Sequence, residues 1–185
     1  MKRIFFAVDI HPDDTITTLM LDIRNHLTGE KIKWIPADQL HLTLKFLGDT
    51  PEDRIQSMIS AVYAQLSEVP VMTLHLFSVG VFKNLHNPRI IWIGIKPCPS
   101  LYAAQQYLHD GMLPFGFPAD DTEFLPHLTI GRIKEIKQRE KLGNLIERYK
   151  NESFGTVYVA EILLYESVLK PGGPVYTPLM RIPLR

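Results

Sequence analysis

His41-Leu42-Thr43-Leu44 and His127-Leu128-Thr129-Ile130 are one four-residue phrase written twice, 86 residues apart. Side chains alternate between the faces of a strand, so in each copy the histidine and threonine share a face. That face is polar and reactive, while Leu42, Leu44, Leu128 and Ile130 anchor the other in a core. A single His-x-Thr is an ordinary surface pair. Here both copies follow a proline-bounded segment, Trp34-Ile35-Pro36 and Phe124-Leu125-Pro126, and both lead toward a helical pattern. The chain therefore reads as a duplicated unit of strand, turn and helix that carries one half-site per copy.

Working outward from the first copy, Ile4 to Ile10 is short and apolar, as expected of a buried strand. Pro12-Asp13-Asp14 opens a helix with acidic groups at the positive end of its dipole. Its inner stripe is Ile16, Leu19, Met20, Ile23 and Leu27, and Gly29 ends it. Lys31 to Ile35 is a short strand or approach segment, and Pro36 to Gln39 a turn into the motif strand, which Gly48 closes. Thr50 is expected to cap the next helix, with Pro51 in its first position and Asp53 reaching back. Ile55, Met58, Ile59, Val62 and Leu66 form its buried face.

Val71 to Val79 and Ile90 to Ile95 read as strands. His75 and the loop residue His86 are expected to be structural or exposed. A third helix begins at Pro99-Ser100, with Leu101, Ala104, Leu108 and Met112 inward. Residues 114–126 form a long loop before the second motif strand, and long loops in compact domains are often functional. A fourth helix buries Leu142, Leu145, Ile146 and Tyr149. Val157 to Tyr165 and Val175 to Pro183 complete the strands. No linker or low-complexity tract divides the chain. The expectation is a single bilobal α+β domain over 1–185, with two similar halves, mainly antiparallel sheets flanked by helices, and the two motif strands lining a central cleft.

The bulk composition narrows the function. With 185 residues, 45 % hydrophobic and 22 % charged, the chain can fill a core and is not of the disordered class. Twenty basic side chains balance twenty acidic ones, which argues against a duplex-coating nucleic-acid binder but leaves room for a site that holds one phosphate. Cys98 is the sole cysteine, so no intrachain disulfide or Cys-rich metal site forms. No run resembles a signal peptide or membrane span, and a cytoplasmic protein with no membrane association is expected.

Histidine titrates near neutral pH, so two histidines across a cleft can divide acid and base work. Thr43 and Thr129 add hydroxyl donors suited to the non-bridging oxygens of a phosphoryl group. No carboxylate adjoins either motif in the sequence, and two histidines fall short of a zinc ligand set. Neither a Gly-x-Ser-x-Gly elbow nor a phosphate loop ending in Lys-Ser/Thr occurs. Phosphoester acid–base chemistry with no cofactor fits best. Arg132, three residues past Thr129, is either a phosphate clamp or a surface arginine at a strand end. Lys45 shares the parity of His41 and Thr43 and is expected to be solvated near the cleft. Phe46 and Trp34 are candidates to stack on a base, though aromatic residues at such positions belong more often to a core.

The two motifs in their settings, His41-Leu42-Thr43-Leu44-Lys45-Phe46-Leu47-Gly48 and Pro126-His127-Leu128-Thr129-Ile130-Gly131-Arg132, resemble the two-histidine (2H) phosphoesterase superfamily. Within it the chain resembles the RNA 2′,3′-cyclic phosphodiesterases, also called 2′-5′ RNA ligases. Arg3-Ile4-Phe5-Phe6-Ala7-Val8, Lys33-Trp34-Ile35-Pro36, Leu164-Tyr165-Glu166-Ser167 and Pro171-Gly172-Gly173-Pro174-Val175-Tyr176 extend the resemblance nearly end to end. It implies metal-independent opening of a terminal 2′,3′-cyclic phosphate to a 2′-phosphate, with reversible ATP-independent 2′-5′ joining of RNA ends as a second activity. His127 would activate water and His41 would protonate the departing 3′ oxygen, although the pseudo-symmetry leaves that order open. Thr43 and Thr129 would hold the phosphate, helped by Arg132. The implied partners are RNA ends or small cyclic-phosphate nucleotides, handled by a monomer that needs no protein partner. Alternatives are a 2H enzyme for another small cyclic phosphate or for 2′-5′ oligonucleotides, and a non-catalytic RNA-end-binding module.

Overall fold

A computed structural model describes residues 1–118 and 123–185. In chain order the elements are β1 (Lys2–Asp9), α1 (Asp14–His26), β2 (Lys31–Trp34), β3 (His41–Thr50), α2 (Glu52–Ser67), β4 (Met72–Phe82), β5 (Ile90–Ile95), α3 (Pro99–Met112), β6 (His127–Glu135), α4 (Arg139–Tyr149), β7 (Ser153–Val159), β8 (Glu161–Lys170) and β9 (Gly173–Pro183). Short 3-10 turns occupy Ala37–Gln39 and Leu113–Phe115. Residues 119–122 of the expected loop lie outside the described residues.

The strands form two antiparallel sheets, ordered β3-β1-β8-β9 and β2-β6-β5-β4-β7. Each sheet holds one motif strand beside the strand that opens its half, β3 against β1 and β6 against β5. The α+β class and antiparallel pairing match expectation. The unbroken apolar run of β1 now has a cause, because both faces of that strand are covered. Ile4, Phe6 and Val8 join the main core with the helices, while Phe5 and Ala7 pack on Leu163 and Tyr165 on the opposite face.

The helices bury the stripes read from their spacing: Ile16, Leu19, Met20 and Ile23 in α1, and Ile55, Met58, Ile59, Val62 and Leu66 in α2. Asp13 caps α1 by accepting the Ile16 amide at 2.9 Å. Thr50 does not cap α2. Pro51 holds that position, and the Thr50 hydroxyl donates instead to the Gly48 carbonyl at 3.2 Å. Nor does Gly48 end its strand. The ladder skips Leu47 between Gly48 and Phe46, so Gly48, at φ +70°, belongs to a β-bulge inside the strand.

The stretch Val157 to Tyr165 is two strands rather than one. It breaks at Ala160, and β7 stays beside β4 while β8 crosses to pair with β1. Among the described residues no helix is long and apolar enough to cross a membrane.

Candidate active site

The motif strands β3 and β6 come from different sheets and touch each other. Within each, Leu42 and Leu44, or Leu128 and Ile130, are buried, and the histidine and threonine face the opposite way, partly exposed. The parity then changes. In β3 the ladder passes from Thr43 to Lys45 against successive β1 residues, and in β6 from Thr129 to Gly131 against successive β5 residues. Leu44 and Ile130 are therefore equivalent bulges, each adding one residue and reversing the side chains that follow, in β3 as far as the second bulge at Leu47.

This shift decides three assignments. Arg132, which strict alternation would turn away from Thr129, lies exposed on the histidine side. Its charge acts on His41, His127 and Tyr176. Lys45 is not solvated; the bulge turns it inward to 2 % exposure, where its ammonium donates to the Pro118 carbonyl at 2.9 Å. Phe46 occupies in β3 the place that Arg132 occupies in β6, is 48 % exposed, and carries the Arg3 guanidinium 5.0 Å from its ring centre. Trp34 stays with the core, packed beneath Gly131 under the Arg24 guanidinium.

Both histidines are oriented in the same way. Nδ1 of His41 donates to the Gln39 carbonyl at 2.9 Å, and Nδ1 of His127 to the Leu125 carbonyl at 2.7 Å. A carbonyl only accepts, so each Nδ1 carries a proton and the basic nitrogen of the neutral ring is Nε2. Aromatic edges brace the rings. Phe5 and Tyr176 lie 5.3 and 5.0 Å from His41, and Phe82 lies 4.7 Å from His127, edge-on. Burial holds both imidazoles below their ordinary pKa; the carbonyl contacts act against this, and Arg132 adds to it. His41 alone also feels Asp9, which favours its charged form, and His127, which opposes it.

Thr43, Phe46, Phe82, Phe124 and His127 line a cleft of about 670 Å³, a size suited to a nucleotide. His41 opens onto a smaller hollow of about 180 Å³ with Asp9, Asp38, Tyr165 and Tyr176. Thr129 stands opposite Trp92 in the β5–β6 ladder. The sequence reading missed Phe82, Trp92, Asp9, Tyr165 and Tyr176. Phe82 and Trp92 arrive by pairing of β4 with β5, and Asp9 by pairing of β1 with β3; no local motif marks them. Tyr176 stands in the quoted closing stretch, with nothing there to show that it meets His41.

Two glycines make the floor beside His127. A Cβ at Gly80 would lie 2.2 Å from Cζ2 of Trp92, and one at Gly94 would lie 3.1 Å from Cζ3. The indole thus rests where side chains are missing, flanked by Phe82 at 5.5 Å.

Comparison with known proteins gives a consistent family. The LigT like Phosphoesterase family matches residues 8–92 and, a second time, residues 93–176. The chain is 33 % identical over 180 residues to the RNA 2′,3′-cyclic phosphodiesterase of Archaeoglobus fulgidus, covering 96 % of this chain and 97 % of that one. It is also 33 % identical to the enzyme of that name from Methanocaldococcus jannaschii, over 94 % of this chain and 96 % of the relative. Among solved structures, TT0787 of Thermus thermophilus superposes with a TM-score of 0.79 at 28 % identity, covering 99 % of this chain and 98 % of its own. E. coli LigT complexed with 3′-AMP superposes with a TM-score of 0.77 at 26 % identity and the same coverage.

Proposed function

The chain belongs to the LigT-like phosphoesterase family, and on that premise we propose that it opens the terminal 2′,3′-cyclic phosphate of RNA to a 2′-phosphate. The observation that carries this reading is the matched pair of Nδ1–carbonyl bonds, which fixes one tautomer on two histidines in strands that touch. Neutral His127 takes a proton from water through Nε2. The water oxygen bonds to phosphorus as the P–O3′ bond breaks, and Nε2–H of cationic His41 protonates O3′. One water is consumed, and the two histidines return to their starting states by proton exchange with solvent. Thr43 and Thr129 donate to the non-bridging oxygens, and Arg132 balances the charge that develops there. Exposed Phe46 on the cleft wall is a stacking surface for the terminal base. A relative solved with 3′-AMP supports a nucleotide in this cleft.

The two half-sites act together, so residues 1–185 work as one bilobal domain, a cytoplasmic monomer acting on RNA ends without metal or nucleotide cofactor. Joining of RNA ends through a 2′-5′ bond follows when a ribose hydroxyl replaces water as the nucleophile. The test is hydrolysis of an oligoribonucleotide ending in 2′,3′-cyclic phosphate, in excess chelator, with the product isomer identified. A 2′-phosphate is the expected product. A 3′-phosphate would reverse the leaving oxygen. No turnover by folded protein would move the assignment to small cyclic phosphates, 2′-5′ oligonucleotides or a binding module.

A further inference from the structure

Directly opposite the two histidines the half-sites differ, and the difference there is ionic. Residues directly opposite in an antiparallel pair project from the same face. Asp9 stands opposite His41 in the β1–β3 ladder, whereas Gly94 stands opposite His127 in the β5–β6 ladder. The positions are equivalent, because the preceding pairs are Val8 with Leu42 and Ile93 with Leu128. His41 thus has a carboxylate beside it, and His127 has a hydrogen atom. The packing keeps it so: a Cβ at residue 94 would lie 2.8 Å from the Phe77 carbonyl and within 3.1 Å of the Trp92 ring.

Asp9 has a neighbour of its own. The Tyr165 phenol and the Asp9 carboxylate act on each other, and both line the small hollow at His41. The groups facing this pair are Asp38 from the turn before β3, Tyr165 from β8 and Tyr176 from β9, with Arg181 and Glu161 acting on Tyr165 from beyond. From β6, the charges of Arg132 and His127 also act on His41. Arg132 bears on both imidazoles in the same direction, whereas of the two Asp9 bears on His41 alone.

We propose that Asp9 is a positioning residue that assigns the histidines their roles: its carboxylate stabilises the cationic form of His41, which becomes the proton donor, and leaves His127 as the base. This rests on the two-histidine reading above. It gives one histidine of the pair a carboxylate that the other lacks.

The experiment is an NMR titration of the histidine ring protons in the full chain, without substrate, beside the pH–rate profile on a 2′,3′-cyclic end. Resonances are assigned with His41→Gln and His127→Gln. Asp9→Asn should lower the His41 midpoint, cutting its cationic fraction near neutral pH by about 3- to 10-fold, while the His127 midpoint stays. The alkaline limb of the rate profile should move to lower pH with the acid limb fixed, and Asp9→Glu should restore part of the shift. Tyr165→Phe leaves the Asp9 side chain in place beside the ring, so the His41 midpoint should not fall. Midpoints that stay put in Asp9→Asn, or that move together, would reduce Asp9 to a packing role and overturn the proposal. So would movement of the acid limb in place of the alkaline one. Absence of turnover in the parent would sink the phosphodiesterase reading while the midpoints still judged Asp9.

Discussion

Replacing Gly80 by alanine tests whether the aromatic floor beside His127 fixes the position of that ring. The new Cβ would fall 2.2 Å from Cζ2, 2.4 Å from Cη2 and 2.8 Å from Cε2 of Trp92. Carbon atoms settle at roughly 3.5–4.0 Å, so the indole must move by about 1.3–1.8 Å. It cannot sink into the sheet, since the backbone of β4 and β5 lies beneath it, and it must lift toward Phe82 and the cleft. Phe82 in turn braces His127 edge-on at 4.7 Å. Overpacking of this kind costs about 1–3 kcal/mol. For a chain of this length that lowers Tm by about 2–12 °C. A displacement near 1 Å at the reacting groups can cost up to about 10²-fold in rate. The expectation is therefore a kcat reduced by about 10-fold or more in a variant still folded at the assay temperature. Gly143→Ala is the control: it lies in α4 with nothing within 4 Å of a new Cβ, and alanine should stabilise that helix by about 0.5–1 kcal/mol without touching turnover. Calorimetry and steady-state hydrolysis read both variants. If Gly80→Ala matched the parent in Tm and kcat, the floor would have no part in holding His127.

Three further expectations follow from the site. His41→Ala and His127→Ala should each lower kcat by about 10²-fold or more, with phosphate binding partly retained by equilibrium titration; full activity in either would remove that histidine from the reaction. Arg132→Ala should raise the titration midpoints of both histidines, because its charge lowers each, and should raise KM; Arg132→Lys should restore the midpoints better than the KM, since lysine lacks the paired donors. Finally, both histidines have folded pKa values below the unfolded value of about 6.5. The unfolded chain therefore binds more protons on acidification, so their share of stability is full above about pH 6.5 and is lost as pH falls through the depressed values. Tm should drop between neutral and mildly acid pH, and the double variant His41→Gln, His127→Gln should flatten that drop; an unchanged slope would show that these rings do not carry it.

Much of the molecule is written locally. A helix repeats its contacts every three or four residues, so the stripes of α1, α2 and α3 can be read without knowing what covers them, and the structure buries the same side chains. The His-x-Thr phrases identify their own reactive face because a strand alternates strictly as long as its ladder is regular. The sequence by itself therefore determined the helical stripes, the duplicated plan and the shared face of each His-x-Thr pair.

What the tertiary structure decided is whatever depends on a partner strand. One extra residue at Leu44 and at Ile130 reverses parity, and a bulge is a property of two strands, invisible in one. For that reason Lys45 lies buried, while Phe46 and Arg132 reach the histidine side. Ala160 looks like any residue in an apolar run, yet there the chain leaves one sheet for the other, because β8 gains a partner in β1 that β7 cannot reach. Asp9 and Gly94 stand far in sequence from the histidines they face. Only the two ladders set a carboxylate beside one imidazole and a glycine beside the other.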